Sequence, residues 1–600
     1  MIQQSTFSRQ RKFTSARTNQ NAKTQSKTLK TTTISSKLID SKDKLRIMVL
    51  GGLEEVGRNM TLIEYNKEII IIDMGIQFPE EDTPGIDYII PNIDYLKGKE
   101  DWIKGVVITH GHIDHIGAIP HIMGEIKNPP MFTGKLTASL IRKRCEEFQN
   151  CPKLKIGEIN EKSKLQLGHS FKIEFLRLNH SIPDCFGVII QTPLGIVVHT
   201  GDFKIDYSPV NDAPADLNKI ALIGGKKILL LMSDSTGAAK PGYQISESKI
   251  GHEIDKIFEK INGRIIIGTF ASQLSRIQKI FDLANKYGRK ICLQGRSMNT
   301  YIEIAHQSGY LKFHPQILIN DSDLNKFADD KIVILGTGAQ AEDNAFLMRV
   351  VNNDHRSISL KNGDTVIFSS SVIPGNERSI QNLKDMIVRQ GAKVIHYEMM
   401  DVHAGGHAQQ EDLKLMMRLL KPENFMPIEA NHYMLKAHAE LAEQVGIPRE
   451  NIFIADNGQV LEFSRPNKTS IIGRLTKERV LTDYVMVDGL GVGDVSHIVL
   501  RDRRVMAADG MIVAIATIDS RTGDCIGNPD IISRGFIYMK ENKALIEKTR
   551  MRVKNIVKDH NPRTPADVDH IKNKIRNDIN KFLFSKTKRR PMVLPVVIKV

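Results

Sequence analysis

One short stretch constrains this chain more than any other: Thr109-His110-Gly111-His112-Ile113-Asp114-His115-Ile116-Gly117, an HxHxDH cluster. It closes the β-branched run GVVITHGH (105–112), which reads as a buried strand delivering polar residues into a loop. Two imidazoles two residues apart can face one ion, and Asp114 and His115 then turn toward a second. Borderline-soft Zn²⁺ accepts nitrogen and carboxylate ligands together, so a binuclear centre needs both kinds of side chain close by. A chance meeting of surface histidines would not come with a strand leading into it.

Later strand ends supply more of the same chemistry. His180 follows the strand-like IEFLRLN (173–179), and Asp202 lies in HTGDFKID (199–206). Imidazole serves one ion, whereas the Asp202 carboxylate can bridge two. Asp73, ending the run IIIID, comes too early to be an obvious ligand and is expected to orient the loop by accepting hydrogen bonds.

Around these strands the chain divides by texture. Residues 1–44 are rich in Ser, Thr, Gln, Asn and Lys with no apolar period, and read as a disordered basic tail. They also have the Arg/Ser-rich, acid-poor look of a transit peptide. From 45 to 225, runs such as IMVLGG (47–52) and IIIIDMG (69–75) end in Gly, Asp or His. From 226 to 398, segments such as RIIIGTFASQLSRIQKI (264–280) and KIVILGTGAQAEDNAF (331–346) repeat a strand, small-residue loop and helix, the βα pattern of a parallel sheet. Backbone N–H groups in such loops can hold phosphate oxygens. His-rich loops return over 399–462, a turn-rich linker follows over 463–505, and 506–600 reads as a small α+β domain suited to association.

Charge matters here for its placement. Residues 1–44 hold ten Lys/Arg against two acids and residues 541–600 hold sixteen against six, so the basic ends account for the net +15 and the body is near neutral. Basic ends suit a polyanionic partner held by counterion release. The five cysteines form no CxxC pair, which fits a reducing cytosol. No apolar run is long enough to span a bilayer, so no membrane partner is expected.

An HxHxDH cluster with a later His and a later Asp resembles the metallo-β-lactamase superfamily, which hosts several chemistries. Ser233-Asp234-Ser235-Thr236 and His403-Ala404-Gly405-Gly406-His407-Ala408 resemble the β-CASP subgroup of nucleic-acid nucleases. Within it, GGLEEVGRNM (51–60), THGHIDHIGAIP (109–120), TGDFKID (200–206) and DGLGVGDV (488–495) are similar to the bacterial ribonuclease J family, from about residue 46 to the end. The resemblance implies an α/β fold: a metallo-β-lactamase αββα sandwich with an inserted β-CASP domain and a small C-terminal α+β domain. It implies two Zn²⁺ per subunit, with Mn²⁺ as an alternative. One ion would sit on His110, His112, His180 and Asp202, the other on Asp114, His115, Asp202 and either Glu429 or His432.

His407 is implied as general acid, oriented by Asp234, with Asp114 in the catalytic set. Ser235, Thr236 and the loop His403, Ala404, Gly405, Gly406 and His407 are implied to hold a 5′-phosphate, with Arg276 and Arg296 on the RNA backbone. The implied activity is 5′→3′ exonucleolytic cleavage from a 5′-monophosphate, plus endonucleolytic cleavage, in rRNA processing and mRNA decay in the cytoplasm. Implied partners are single-stranded RNA, a homodimer or homotetramer, and other RNA-decay factors or the ribosome. A DNA-processing nuclease or another metallohydrolase is the alternative. Two departures stand out: Gly405 replaces a Ser of the family pattern, and Glu429 stands where the pattern has a His.

Overall fold

A computed structural model describes residues 43–600 except 80–82, 343–344, 371, 373–375, 397–398, 401, 468–469, 494, 496, 523, 539–540 and 560–567. The reading of residues 1–44 as a disordered tail falls outside the described residues up to residue 42. Lys44, its last residue, already opens the first strand, Lys44–Gly51.

Two sheets make the sandwich. The first runs in the order Ile472–Arg479, Gln459–Ser464, Lys44–Gly51, Met60–Tyr65, Glu68–Ile72, Ile103–Val107, Met131–Thr133, Ile156–Glu158. The second runs Phe425–Ile428, Ile228–Asp234, Gly195–His199, Cys185–Thr192, Phe171–Leu178, Lys164–Leu167. Because successive side chains in a strand point to opposite faces, one strand feeds two cores. Leu45, Ile47 and Val49 pack between the sheets with Phe171, Phe175 and Val188, while Met48 and Leu50 pack outward with Ile119, Ile122 and Leu136. This double burial explains why these strands read as continuous apolar runs rather than alternating ones.

The inserted domain is a six-stranded parallel sheet in the order Leu318–Ile319, Lys290–Gln294, Ile332–Gly336, Ile265–Gly268, Thr365–Phe368, Lys393–His396. The amphipathic helix Glu247–Lys260 precedes its first strand in sequence, and Leu274–Lys286 lies between its first two. Two expected boundaries need correction. Ile228–Asp234, expected in the insertion, pairs in parallel with Gly195–His199 and with Phe425–Ile428, so it belongs to the sandwich. Its own run of Ile and Leu is apolar enough for either sheet, and only the pairing decides. Ile472–Arg479, expected in the linker, pairs antiparallel with Gln459–Ser464 and extends the first sheet.

The C-terminal domain packs the helices Lys543–Lys558 and Val568–Thr587 on a three-stranded sheet, Asp530–Arg534, Met511–Ile518, Met592–Lys599. It is the expected α+β unit. The segment Val485–Asp488 pairs with Tyr88–Ile90 and ties the chain after the sandwich back to it.

Candidate metal centre

Strand ends of both sheets meet at one point. His110 and His112 follow Ile103–Val107, His180 follows Phe171–Leu178, and Asp202 follows Gly195–His199. His110 Nε2 lies 3.1 Å from His112 Nδ1, and His180 Nε2 lies 3.0 Å from the same atom. Asp202 Oδ2 stands 3.9 Å from His110 Nε2 and 3.8 Å from His180 Nε2. Four ligands around one tetrahedral Zn²⁺ with bonds of about 2.0–2.1 Å would stand roughly 3.3 Å apart, close to this spacing.

Tautomers tell the same story. His180 Nδ1 is 2.7 Å from the Gly406 carbonyl, which only accepts, so Nδ1 carries the proton and Nε2 offers its lone pair. Thr109 Oγ1 donates to Asp73 Oδ2 at 2.9 Å and is left to accept from His110 Nδ1 at 3.1 Å, again freeing Nε2. On His112 the outer nitrogen, Nε2, lies 3.3 Å from Ser181 Oγ. Burial, followed by the neighbouring imidazoles, holds His110 and His180 well below the usual histidine range. Burial likewise brings His112 down to about 3. All three are neutral, the ligating form.

The second half of the centre is richer in oxygen. His115 Nε2 faces Asp202 Oδ2 at 3.4 Å and Asp114 Oδ2 at 3.7 Å, while its Nδ1 is held by Asp73 Oδ2 at 2.9 Å. Asp73 therefore serves as the expected orienting residue, also accepting from Thr109 N at 2.8 Å. Glu429, at the end of Phe425–Ile428, groups with His115 and Asp73, and its buried Oε2 has no hydrogen-bond partner. Burial works against the His115 charge, yet Asp202, Asp114 and Asp73 raise its pKa well above the usual range. Burial and then the Asp202 charge push Glu429 well above the carboxylate range. Without a cation the cluster gathers protons to offset its carboxylates, which is what a divalent metal would do instead. The donor set fits divalent metal.

His432 does not join this centre. Its side chain is 61% exposed and turns to Glu54, 2.7 Å away. It opens the helix His432–Gln444. Of the two alternatives for the last ligand, the structure brings Glu429 to the cluster.

His407 comes from the loop that returns from the inserted domain. Its Nδ1 donates to Asp234 Oδ2 at 2.9 Å and lies 3.8 Å from Asp202 Oδ2. Burial lowers its pKa, but Asp234 and Asp202 outweigh burial and raise it to about 9. Asp234 is itself fixed, Oδ1 accepting from Thr236 N at 2.8 Å.

The implied phosphate pocket changes. Ser235 is fully buried: its N–H donates to Ile428 O, and its hydroxyl is taken up by His438 Nδ1 at 2.9 Å. Thr236 uses its hydroxyl on Glu429 O at 2.9 Å. Arg276, also buried, pairs with Glu247 at 2.9 Å and reaches Ser369, Val402 and His403, so it braces the loop rather than meeting RNA. A short polar residue after a buried strand turns inward when a partner waits there, and sequence gives no sign of the partner. His403 is held by Arg276, and Ala404 is buried. Gly406 borders the centre against His180, Gly405 lies beside Gln244, and Arg296 is exposed at the start of the helix Arg296–Gln307.

Some contributors carried no signal of their own. Asn59 Nδ2 lies 3.0 Å from His115 Nε2, and Gly406 gives its carbonyl to His180. In the GGLEEVGRNM segment, Glu55 accepts from Arg58 at 2.8 Å and from Asn457 at 2.8 Å, anchoring the loop that presents Asn59.

Fold and site together define a metallo-hydrolase of metallo-β-lactamase architecture with a β-CASP insertion. Family models agree along the chain: a beta-lactamase superfamily domain over 84–223, the ribonuclease J beta-CASP domain over 262–387, a Zn-dependent metallo-hydrolase RNA specificity domain over 392–455, and the ribonuclease J C-terminal domain over 498–600. The chain is 41% identical over 556 residues to Ribonuclease J 1 of Streptococcus pyogenes serotype M3, spanning 93% of this chain and 98% of that protein. It is 37% identical to Ribonuclease J2 of Bacillus subtilis strain 168 over 558 residues, 93% and 99% of the two chains. The chain belongs to the ribonuclease J family.

Proposed function

We propose that the chain is a ribonuclease that hydrolyses RNA phosphodiesters with two divalent ions, releasing nucleotides from a 5′-monophosphorylated end and also cutting internally. The observation that carries this reading is the convergence of seven side chains able to ligate metal, with His407 held beside them by Asp234. Zn²⁺ is the ion best matched to the three-imidazole half. When bound, such ions stabilise charge on the scissile phosphate and lower the pKa of an attacking water. His407, whose pKa the Asp234 and Asp202 carboxylates raise, is placed to give its proton to the leaving oxygen, and Asp234 fixes the ring that does so.

Phosphate binding falls to the Gly405-Gly406 backbone, since Ser235, Thr236 and Arg276 spend their donors internally. Arg296 remains a candidate for the RNA backbone, as do the basic C-terminal residues. Among the described residues no helix is long and apolar enough to cross a membrane, and a cytoplasmic role in rRNA processing and mRNA decay, as a homo-oligomer, follows from the family.

The test is cleavage of matched 5′-labelled strands in RNA and DNA form, with monophosphate and triphosphate ends. Faster mononucleotide release from monophosphorylated RNA is expected. Equal cleavage of DNA would overturn the RNA assignment, and loss of no activity on chelation would overturn the metal one.

A further inference from the structure

The two halves of the centre differ in donor chemistry, and Glu429 widens the difference. The first half offers three imidazoles, His110, His112 and His180, with one carboxylate, Asp202. The second offers a single imidazole, His115, which groups with Asp114 and Asp202 and also with Asp73 and Glu429. Soft or borderline ions favour nitrogen, whereas Mn²⁺ and Mg²⁺ favour carboxylate oxygen.

Glu429 is not an incidental neighbour. It is 6% exposed, and its Oε2 is buried without a hydrogen-bond partner. Its backbone sits at φ 62°, in the left-handed region that a non-glycine residue occupies at a cost of about 1 kcal/mol or more unless its surroundings hold it there. Two contacts do so: Thr236 Oγ1 donates to Glu429 O at 2.9 Å, and Ala430 N donates to Gly52 O at 3.2 Å. A left-handed backbone presents a buried carboxylate oxygen, without a hydrogen-bond partner, to the group of His115 and Asp73. A buried carboxylate in that position is neutralised either by a proton or by a cation.

Building on the metallo-hydrolase reading, we propose that the Glu429 half of the centre is a hard-cation site that exchanges Zn²⁺ for Mn²⁺, while the three-imidazole half retains Zn²⁺. Zinc binds most N/O sites more tightly than manganese, so the distinction lies in how far each half discriminates. Replacing an imidazole by a carboxylate narrows that discrimination on one side only. The centre is then sensitive to manganese supply in one half alone.

The experiment loads the full-length chain with Zn²⁺, dialyses it against Mn²⁺ in roughly 100-fold excess, and counts bound zinc by mass spectrometry and bound manganese by its electron paramagnetic resonance signal. The wild type is expected to exchange one of two zinc ions. Glu429→His should keep both, and Glu429→Gln, which retains an oxygen donor without the charge, should take up manganese more weakly than the wild type. His112→Ala should lose zinc from the other half yet still take up manganese. Circular dichroism confirms folding, and the Gln variant carries the test if the His variant fails to fold. Exchange of both ions or of neither in the wild type overturns the proposal, as does a Glu429→His chain that exchanges like the wild type. A chain that retains no zinc at the first step overturns the metal-centre reading itself, a distinguishable result.

Discussion

Gly406→Ala should detach His180 from the metal centre without unfolding the chain. A Cβ built on Gly406 would stand 2.4 Å from His180 Cε1 and 2.8 Å from Nδ1, distances that carbon and nitrogen do not tolerate. The ring must retreat by about 1 Å to reach van der Waals contact. That movement disturbs the 2.7 Å hydrogen bond from His180 Nδ1 to the Gly406 carbonyl and withdraws Nε2 from its place 3.0 Å from His112 Nδ1. Losing an orienting partner of a ligand costs about 10–100-fold in metal affinity, or about 1.4–2.7 kcal/mol. Gly405→Ala is the internal control: its Cβ would meet only Gln244 Nε2 at 2.9 Å, the far end of a flexible side chain. Competition for Zn²⁺ with a chromophoric chelator, alongside a thermal melt, measures both variants. A Gly406→Ala chain that binds zinc as tightly as the wild type would refute the reasoning, and so would an equal loss in Gly405→Ala.

Three other perturbations test separate parts of the argument. Asp234→Asn removes the main charge raising His407 to about 9, so the fraction of enzyme with its acid protonated should begin to fall at lower pH, and the alkaline limb of the kcat profile should move acidward. An unmoved limb assigns the proton to another group. Ser235→Ala should cost about 0.5–1.5 kcal/mol of stability by removing the hydrogen bond to His438, while leaving the discrimination between 5′ ends intact; a lost preference would restore Ser235 to the phosphate site. Deleting residues 1–42, which hold nine Lys/Arg against one acid, should flatten the salt dependence of RNA binding and spare cleavage of short strands, as followed by binding titrations across ionic strength.

The metal ligands were legible because they are local. HxHxDH places four of them within six residues behind one strand, and His180 and Asp202 stand at the ends of apolar runs that announce themselves. The same logic located the parallel βα insertion, since alternating strand and helix patterns need only short windows to recognise. The family resemblance added His407 and Asp234, which lie 173 residues apart and share no local signal.

What sequence alone could not decide were questions of which partner a side chain meets across the fold. Glu429 and His432 are both able ligands by chemistry, and only the left-handed turn at Glu429, with the helix starting at His432, sends one to the cluster and the other to Glu54. Ser235 and Arg276 have the residue types of phosphate contacts, yet each is claimed by a buried group on another element, His438 and Glu247. Residue type and spacing therefore determined the chemistry available to this protein, because ligand identity and strand pattern are local properties. Tertiary structure decided which of those groups remain free to act, because a buried polar atom must find a partner and the nearest partner is set by the fold.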